Sequence, residues 1–208
     1  LCKSIFCSGD ARCLEGLVSM ICVMAKAPLR LGLAGGGTDV DPYCSQFGGE
    51  VLSVTIARFV LVRLKLSAFK GQGKQVRLFA ADRHVSWEGS LQEIHRAGEI
   101  AALRLHGAVL NRIVSTTIEA GSPDLDALFV DGWSGVSLEL ETATDVPMGS
   151  GLGTSSTLVV AMLQAWQQAL RLPWGEYEIA RIAWEIERLD CALQGGRQDQ
   201  YAASFGGL

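Results

Sequence analysis

Residues 147–156 read PMGSGLGTSS, a proline followed by glycines at every second position and then three hydroxyl side chains. Glycine lets backbone approach a bulky ligand closely. The start of a helix presents unpaired N–H groups at the positive end of its dipole. This stretch follows an alternating strand pattern and precedes a helical one, so it has the logic of an anion cradle. Pro147, Gly149, Ser150, Gly151, Leu152 and Gly153 would form the loop. Thr154, Ser155 and Ser156 could cap the helix, touch phosphate oxygens or ligate a metal. The pattern is neither G-x-x-x-x-G-K-[ST] nor G-x-G-x-x-G. A tight turn before a well-capped helix would use the same residues.

Two other stretches could carry chemistry. Residues 27–40, APLRLGLAGGGTDV, deliver Arg30 and then Gly36, Gly37, Thr38 and Asp39 on a glycine loop. Short polar side chains on such a loop can grip sugar hydroxyls. Asp39 could equally be a helix N-cap. Residues 195–207, GGRQDQYAASFGG, place Asp199 after a glycine pair. There it could orient a hydroxyl nucleophile or take its proton, or simply be a solvated turn residue. Glu185 and Glu187 stand two apart on a helical pattern, so at most one faces a given site; both could be solvent-exposed.

These residues need elements to hold them. A first strand is expected within 21–34. Glu50 to Arg58 and Phe59 to Ser67 read as strands, with Arg63 and Lys65 alternating against Leu64 and Leu66. A turn at 70–74 and a strand from Val76 to Ala80 would complete an antiparallel meander. Leu91 to Ile118 has helical spacing through Ile94, Ala97, Ala101, Leu105, Ala108 and Ile113, broken by Gly121-Ser122-Pro123. Val136, Leu138 and Leu140 mark a strand. Leu158, Met162, Ala165 and Ala169 mark a helix face. A last helix spans about Glu176 to Leu193, with Ile179, Ala183, Ile186 and Leu189 or Leu193 on one face, capped by Gly195-Gly196. The fold class expected is α+β, a mixed or antiparallel sheet packed against helices.

The 208 residues are 49% hydrophobic and 19% charged, enough for a sizeable core, and the net charge of -4 argues against a general nucleic-acid binder. No apolar run reaches the ~18 residues of a membrane span, and the first 19 residues lack a secretory pattern. A soluble cytoplasmic protein is expected. Cys2, Cys7, Cys13 and Cys22 are wrongly spaced for common zinc modules, so reduced thiols are the better reading. Residues 1–19 look like extraneous upstream sequence, with Met20 a plausible start.

Taken together and in this order, the three glycine stretches resemble the GHMP small-molecule kinases. PMGSGLGTSS looks like that family's phosphate loop and APLRLGLAGGGTDV like its first motif. The subgroup suggested is the D-glycero-D-manno-heptose 7-phosphate kinases, through AKAPLRLGLAGGGTDVDPYCSQFGG, NRIV at 111–114, WEIERLD and GGRQDQYAASFGG. The resemblance implies ATP and Mg²⁺ as cofactors and a sugar phosphate as substrate, with a homodimer possible. It implies that Gly149, Gly151, Gly153 and Thr154 line the ATP phosphates and that Ser155 and Glu187 reach Mg²⁺. Glu185 is not at the family spacing. Asp199 matches the catalytic aspartate, Arg30 the basic residue paired with it, and Asp39 a sugar-binding aspartate. A fucokinase or galactokinase-like enzyme, or a non-catalytic relative, would share these features. Lys26, Arg58, Arg83 and Arg112 are candidates for the substrate phosphate. Thr154, Thr157 and Arg197 depart from common family residues in tolerable ways. Family members continue into a second half with a third glycine-rich motif. Residues 20–208 therefore read as the N-terminal domain without its C-terminal partner, expected to be poorly soluble or inactive alone.

Overall fold

The computed structural model describes residues 20–69, 73–119 and 135–208. The segment 1–19 with Cys2, Cys7 and Cys13, the Gly121-Ser122-Pro123 break and most of the 70–74 turn lie outside the described residues. Five strands form one mixed sheet: β1 (Met20–Ala34), β2 (Leu52–Phe69), β3 (Gly73–Ala80), β4 (Val85–Ser90) and β5 (Gly135–Thr144), in the order β1-β2-β5-β3-β4. Helices α1 (Tyr43–Phe47), α2 (Ile94–Glu99), α3 (Arg104–Glu119), α4 (Thr154–Leu170), α5 (Glu176–Glu185) and α6 (Gln198–Phe205) complete an α+β architecture.

The expected meander is not what forms. β5 inserts between β2 and β3, antiparallel to the first and parallel to the second. Parallel pairing needs a long crossover, which the chain between β3 and β5 supplies. The inward faces of β2 and β5 explain the central position, since Val60, Val62, Leu64, Leu66, Val136, Leu138 and Leu140 are all buried. The two runs at 50–58 and 59–67 are one long strand rather than two, and β4 was not foreseen. The outward face is wet. Lys65 pairs with Glu139 and Arg77 with Glu88, each at 3.0 Å, and Arg63 pairs with Glu141.

Helix α4 is the centre of the packing. Leu158, Val159, Val160, Met162, Leu163 and Trp166 are buried on all sides of it, as expected for a helix covered by both sheet and helices. The helical run over 91–118 is interrupted. Ile100 adopts extended backbone angles, which end α2 and leave Ala101 exposed. The last long helix also stops early. Regular α-geometry ends at Glu185, a π turn spans Ile186–Asp190, and Leu189 is exposed. Gly195-Gly196 is thus not its cap. The wide turn breaks the 3.6-residue phase, and with it the face expected to include Leu189.

Candidate active site

The first contact of the site joins opposite ends of the chain. Arg30, on β1, donates through Nε to Asp199 Oδ1 at 2.5 Å, and its Nη2 reaches the same oxygen at 2.5 Å. Arg30 also holds the glycine loop. Its backbone N–H donates to the Leu152 carbonyl at 3.2 Å, and Nη1 to the Gly151 carbonyl at 3.3 Å. One residue therefore fixes both the carboxylate and the loop beside it.

Gly149, Gly151 and Gly153 all adopt left-handed φ, at 83°, 74° and 76°. A side chain is costly in that region, which explains the alternate glycines. Gly153 is restricted twice, because a Cβ there would sit 3.1 Å from Asp199 Cγ. Gly149 and Gly151 instead face open space. Gly153, not a hydroxyl residue, is the N-cap of α4, with no side-chain capping bond. The first-turn N–H groups therefore gain no hydroxyl cap from the chain itself.

The three hydroxyl residues take separate tasks. Thr154 Oγ1 lies 3.3 Å from Ser150 Oγ. Ser155 Oγ donates to Glu187 Oε1 at 3.2 Å. Ser156 Oγ accepts from Gln200 Nε2 at 3.1 Å, and the same amide donates to Glu187 Oε2 at 2.5 Å. Glu187 is thus fully buried rather than exposed. Glu185 points elsewhere, to Arg112 at 3.0 Å and to Arg181. A hydroxyl and a carboxylate oxygen this close form a hard-oxygen pair, the kind of donor set Mg²⁺ takes alongside phosphate oxygens.

Asp199 is not a turn residue but lies in the first turn of α6. Asp39 is an N-cap of an unexpected kind. Its Oδ2 accepts the backbone N–H groups of Arg197 and Gln198, at 2.7 and 2.8 Å, and so caps α6 from across the site. A Cβ at Gly196 would overlap that carboxylate. Gly36–Asp39 forms a 3₁₀ turn. The Thr38 hydroxyl lies 2.7 Å from the Gly35 carbonyl and accepts the Glu50 N–H at 3.1 Å, so it ties the loop to the start of β2. Gly37 has open space beside it, and the Gly36 carbonyl accepts Gln198 Nε2 at 3.5 Å.

A cavity of about 380 Å³ opens here, lined by Ser155, Glu187, Arg188, Gly196 and Asp199 among others. None of the four basic residues expected near the substrate lines it. Lys26 stacks over Phe59, Arg58 pairs with Asp145, Arg83 with Asp82, and Arg112 with Asp190 and Glu185. The cation that does line it, Arg188, donates to the Gly196 carbonyl at 3.2 Å. Arg188 and Gln200 are the site residues that sequence reasoning missed. Both stand inside the quoted stretches, but periodicity carries no sign of a buried amide bond or of a π turn.

Residues 112–207 match the GHMP kinases N terminal domain. That stretch, just under half of the chain, is thus similar to the N-terminal domain of the GHMP kinases. It is 40% identical over 186 residues to the D-glycero-alpha-D-manno-heptose 7-phosphate kinase of Campylobacter jejuni, across 89% of this chain and 49% of that protein. It is 30% identical to the galactokinase of a Roseiflexus species, across 88% of this chain and 40% of that protein. Among solved structures, a D-glycero-D-manno-heptose 1-phosphate kinase from Bacteroides thetaiotaomicron superposes with a TM-score of 0.70 at 38% identity, over 88% of this chain and 54% of that one. A mevalonate kinase superposes with a TM-score of 0.63 at 13% identity, a likeness of fold alone. The chain spans about half the length of the curated relatives it matches most fully. No helix among the described residues is long and apolar enough to cross a membrane.

Proposed function

We propose that the protein carrying this chain is an ATP-dependent sugar kinase, a cytoplasmic enzyme acting on D-glycero-D-manno-heptose 7-phosphate. The γ-phosphoryl group passes to the anomeric hydroxyl. A sugar O–P bond forms, the bond from Pγ to the bridging oxygen breaks, and the products are ADP and the 1,7-bisphosphate. The observation that carries this reading is the Arg30–Asp199 pair set against the left-handed glycine loop, with Ser155 and Glu187 beside it.

Phosphoryl transfer asks a protein mainly for positioning and charge neutralisation. The glycine loop and the first-turn N–H groups of α4 receive the ATP phosphates, with Gly149, Gly151, Gly153 and Thr154 closest. Ser155 and Glu187 would hold Mg²⁺, which neutralises phosphate charge when bound. Asp199 orients the anomeric hydroxyl and takes its proton. Arg30 keeps that carboxylate aimed and stands ready for the charge that develops on the transferring group. The turn Gly36–Asp39 forms the sugar wall. The second half of the fold would close the nucleotide site.

The galactokinase match keeps an unphosphorylated sugar open as the substrate class. Arg188, a cation on the cavity wall, favours a phosphorylated one. A non-catalytic sensor would have no reason to keep Arg30, Asp199, Ser155 and Glu187 together. The test is ATP consumption by the complete protein with heptose 7-phosphate, fucose and galactose. Heptose 7-phosphate is expected to give a kcat/KM at least about tenfold above the others. A preference for fucose or galactose would move the substrate, and no consumption with any sugar would overturn the kinase reading.

A further inference from the structure

We propose that Gln200 is the positioning residue for the cation-binding carboxylate Glu187, which makes the geometry of the metal pair depend on the helix that carries Asp199. The inference rests on the reading of Ser155 and Glu187 as that pair. Gln200 is fully buried, and so is Glu187. Its Nε2 donates at once to Glu187 Oε2 at 2.5 Å and to Ser156 Oγ at 3.1 Å. The two N–H bonds use both donors of the amide. Ser156 and Ser155 are neighbours on the first turn of α4, and Gln200 follows Asp199 on α6.

The consequence lies in what is left to Glu187. With Oε2 engaged by the amide, Oε1 is the oxygen turned to Ser155, at 3.2 Å. A carboxylate on a π turn has no regular helical neighbours to set its rotamer, and here Gln200 sets it. The amide is neutral and donates only on this side, so it orients the carboxylate without cancelling the charge a divalent cation needs. Partners of this kind around a metal ligand change its affinity by roughly 10- to 100-fold when removed.

The test compares wild-type full-length protein with Gln200→Met, which keeps volume but removes both donors. Binding of Mn²⁺ in the presence of a non-hydrolysable ATP analogue is followed by the electron-paramagnetic-resonance signal of free Mn²⁺. About tenfold weaker Mn²⁺ binding is expected in Gln200→Met. The Mg²⁺ concentration for half-maximal turnover should rise by a similar factor, with the sugar KM unchanged. A merely structural role would lower the active fraction and leave both midpoints in place, and that result overturns the proposal. If Gln200→Met does not fold by circular dichroism, Gln200→Asn, one methylene shorter, is measured in the same way, and unchanged Mn²⁺ affinity there overturns it too. Glu187→Gln separates the two readings. If it leaves Mn²⁺ binding intact, the metal pair itself is wrong and both fall. If it abolishes binding while Gln200→Met does not weaken it, only the role of Gln200 falls.

Discussion

Arg30 and Asp199 stand 169 residues apart in sequence and meet through Nε and Nη2 of the guanidinium on a single carboxylate oxygen, at 2.5 Å. The pair is mostly shielded from solvent, with side-chain exposures of 14% and 21%. Under the proposed kinase reading, the second oxygen of Asp199 is the one that would face the sugar hydroxyl. Replacing Asp199 by Asn should lower turnover by about a thousandfold in the full-length protein while ATP still binds. Near-normal turnover, read in a coupled ADP assay, would sink the assignment. Arg30→Lys keeps the charge but loses the two-nitrogen contact, and should still cost about tenfold or more in kcat.

The glycine loop separates two effects. Gly151→Ala and Gly153→Ala each force a side chain into left-handed backbone, and each should lose about 1 kcal/mol in urea unfolding. Their kinetics should differ. Gly151 faces open space, so its Cβ intrudes where phosphate would lie and raises the KM for ATP. A Cβ on Gly153 presses on Asp199 and lowers kcat. Identical kinetic signatures for the two variants would contradict this division.

Buried His106 should make the domain acid-sensitive. Burial first, and the nearby Arg83 second, lower its pKa from 6.5 to about 4. Its Nε2 lies 2.8 Å from the Thr142 hydroxyl. The unfolded chain binds the proton more readily, so stability is full above about pH 6.5 and falls as pH drops toward 4. The loss at the acid end is on the order of 3 kcal/mol. Urea midpoints between pH 7 and pH 4.5 should show this slope, and His106→Gln should flatten it.

Arg112 is engaged as a structural tie. It joins α3 to the π turn through Asp190 at 2.7 Å and Glu185 at 3.0 Å. Arg112→Ala should reduce stability by about 1 kcal/mol, and by less in high salt. The KM for the sugar phosphate should stay unchanged, because Arg112 does not line the cavity. A large rise in that KM would restore it as a phosphate ligand.

Much of the site was legible because its signals are local. Alternate glycines at 149, 151 and 153 mark the loop between a strand and a helix, and the structure puts a loop with all three in left-handed backbone there. The alternation in β5 and the face of α4 are likewise short-range patterns. The meander failed because strand neighbours are chosen by burial, and the most buried strand, β5, comes last in sequence. The extent of the final helix failed because a single π turn changes the phase without leaving a compositional trace. Asp39 was expected either as a cap or as a sugar ligand, and its carboxylate accepts the first N–H groups of α6, a helix that begins far along the chain.

By itself, the sequence determined the glycine placement of the loop and the α+β class, since glycine placement and apolar period act over a few residues. The tertiary structure alone decided which carboxylate meets Ser155. Glu185 and Glu187 are chemically alike and two residues apart. The π turn and the Gln200 amide send Glu187 to Ser155 and leave Glu185 to Arg112 and Arg181. That choice depends on contacts between segments distant in sequence, where burial and hydrogen bonding, not local propensity, set the free energy.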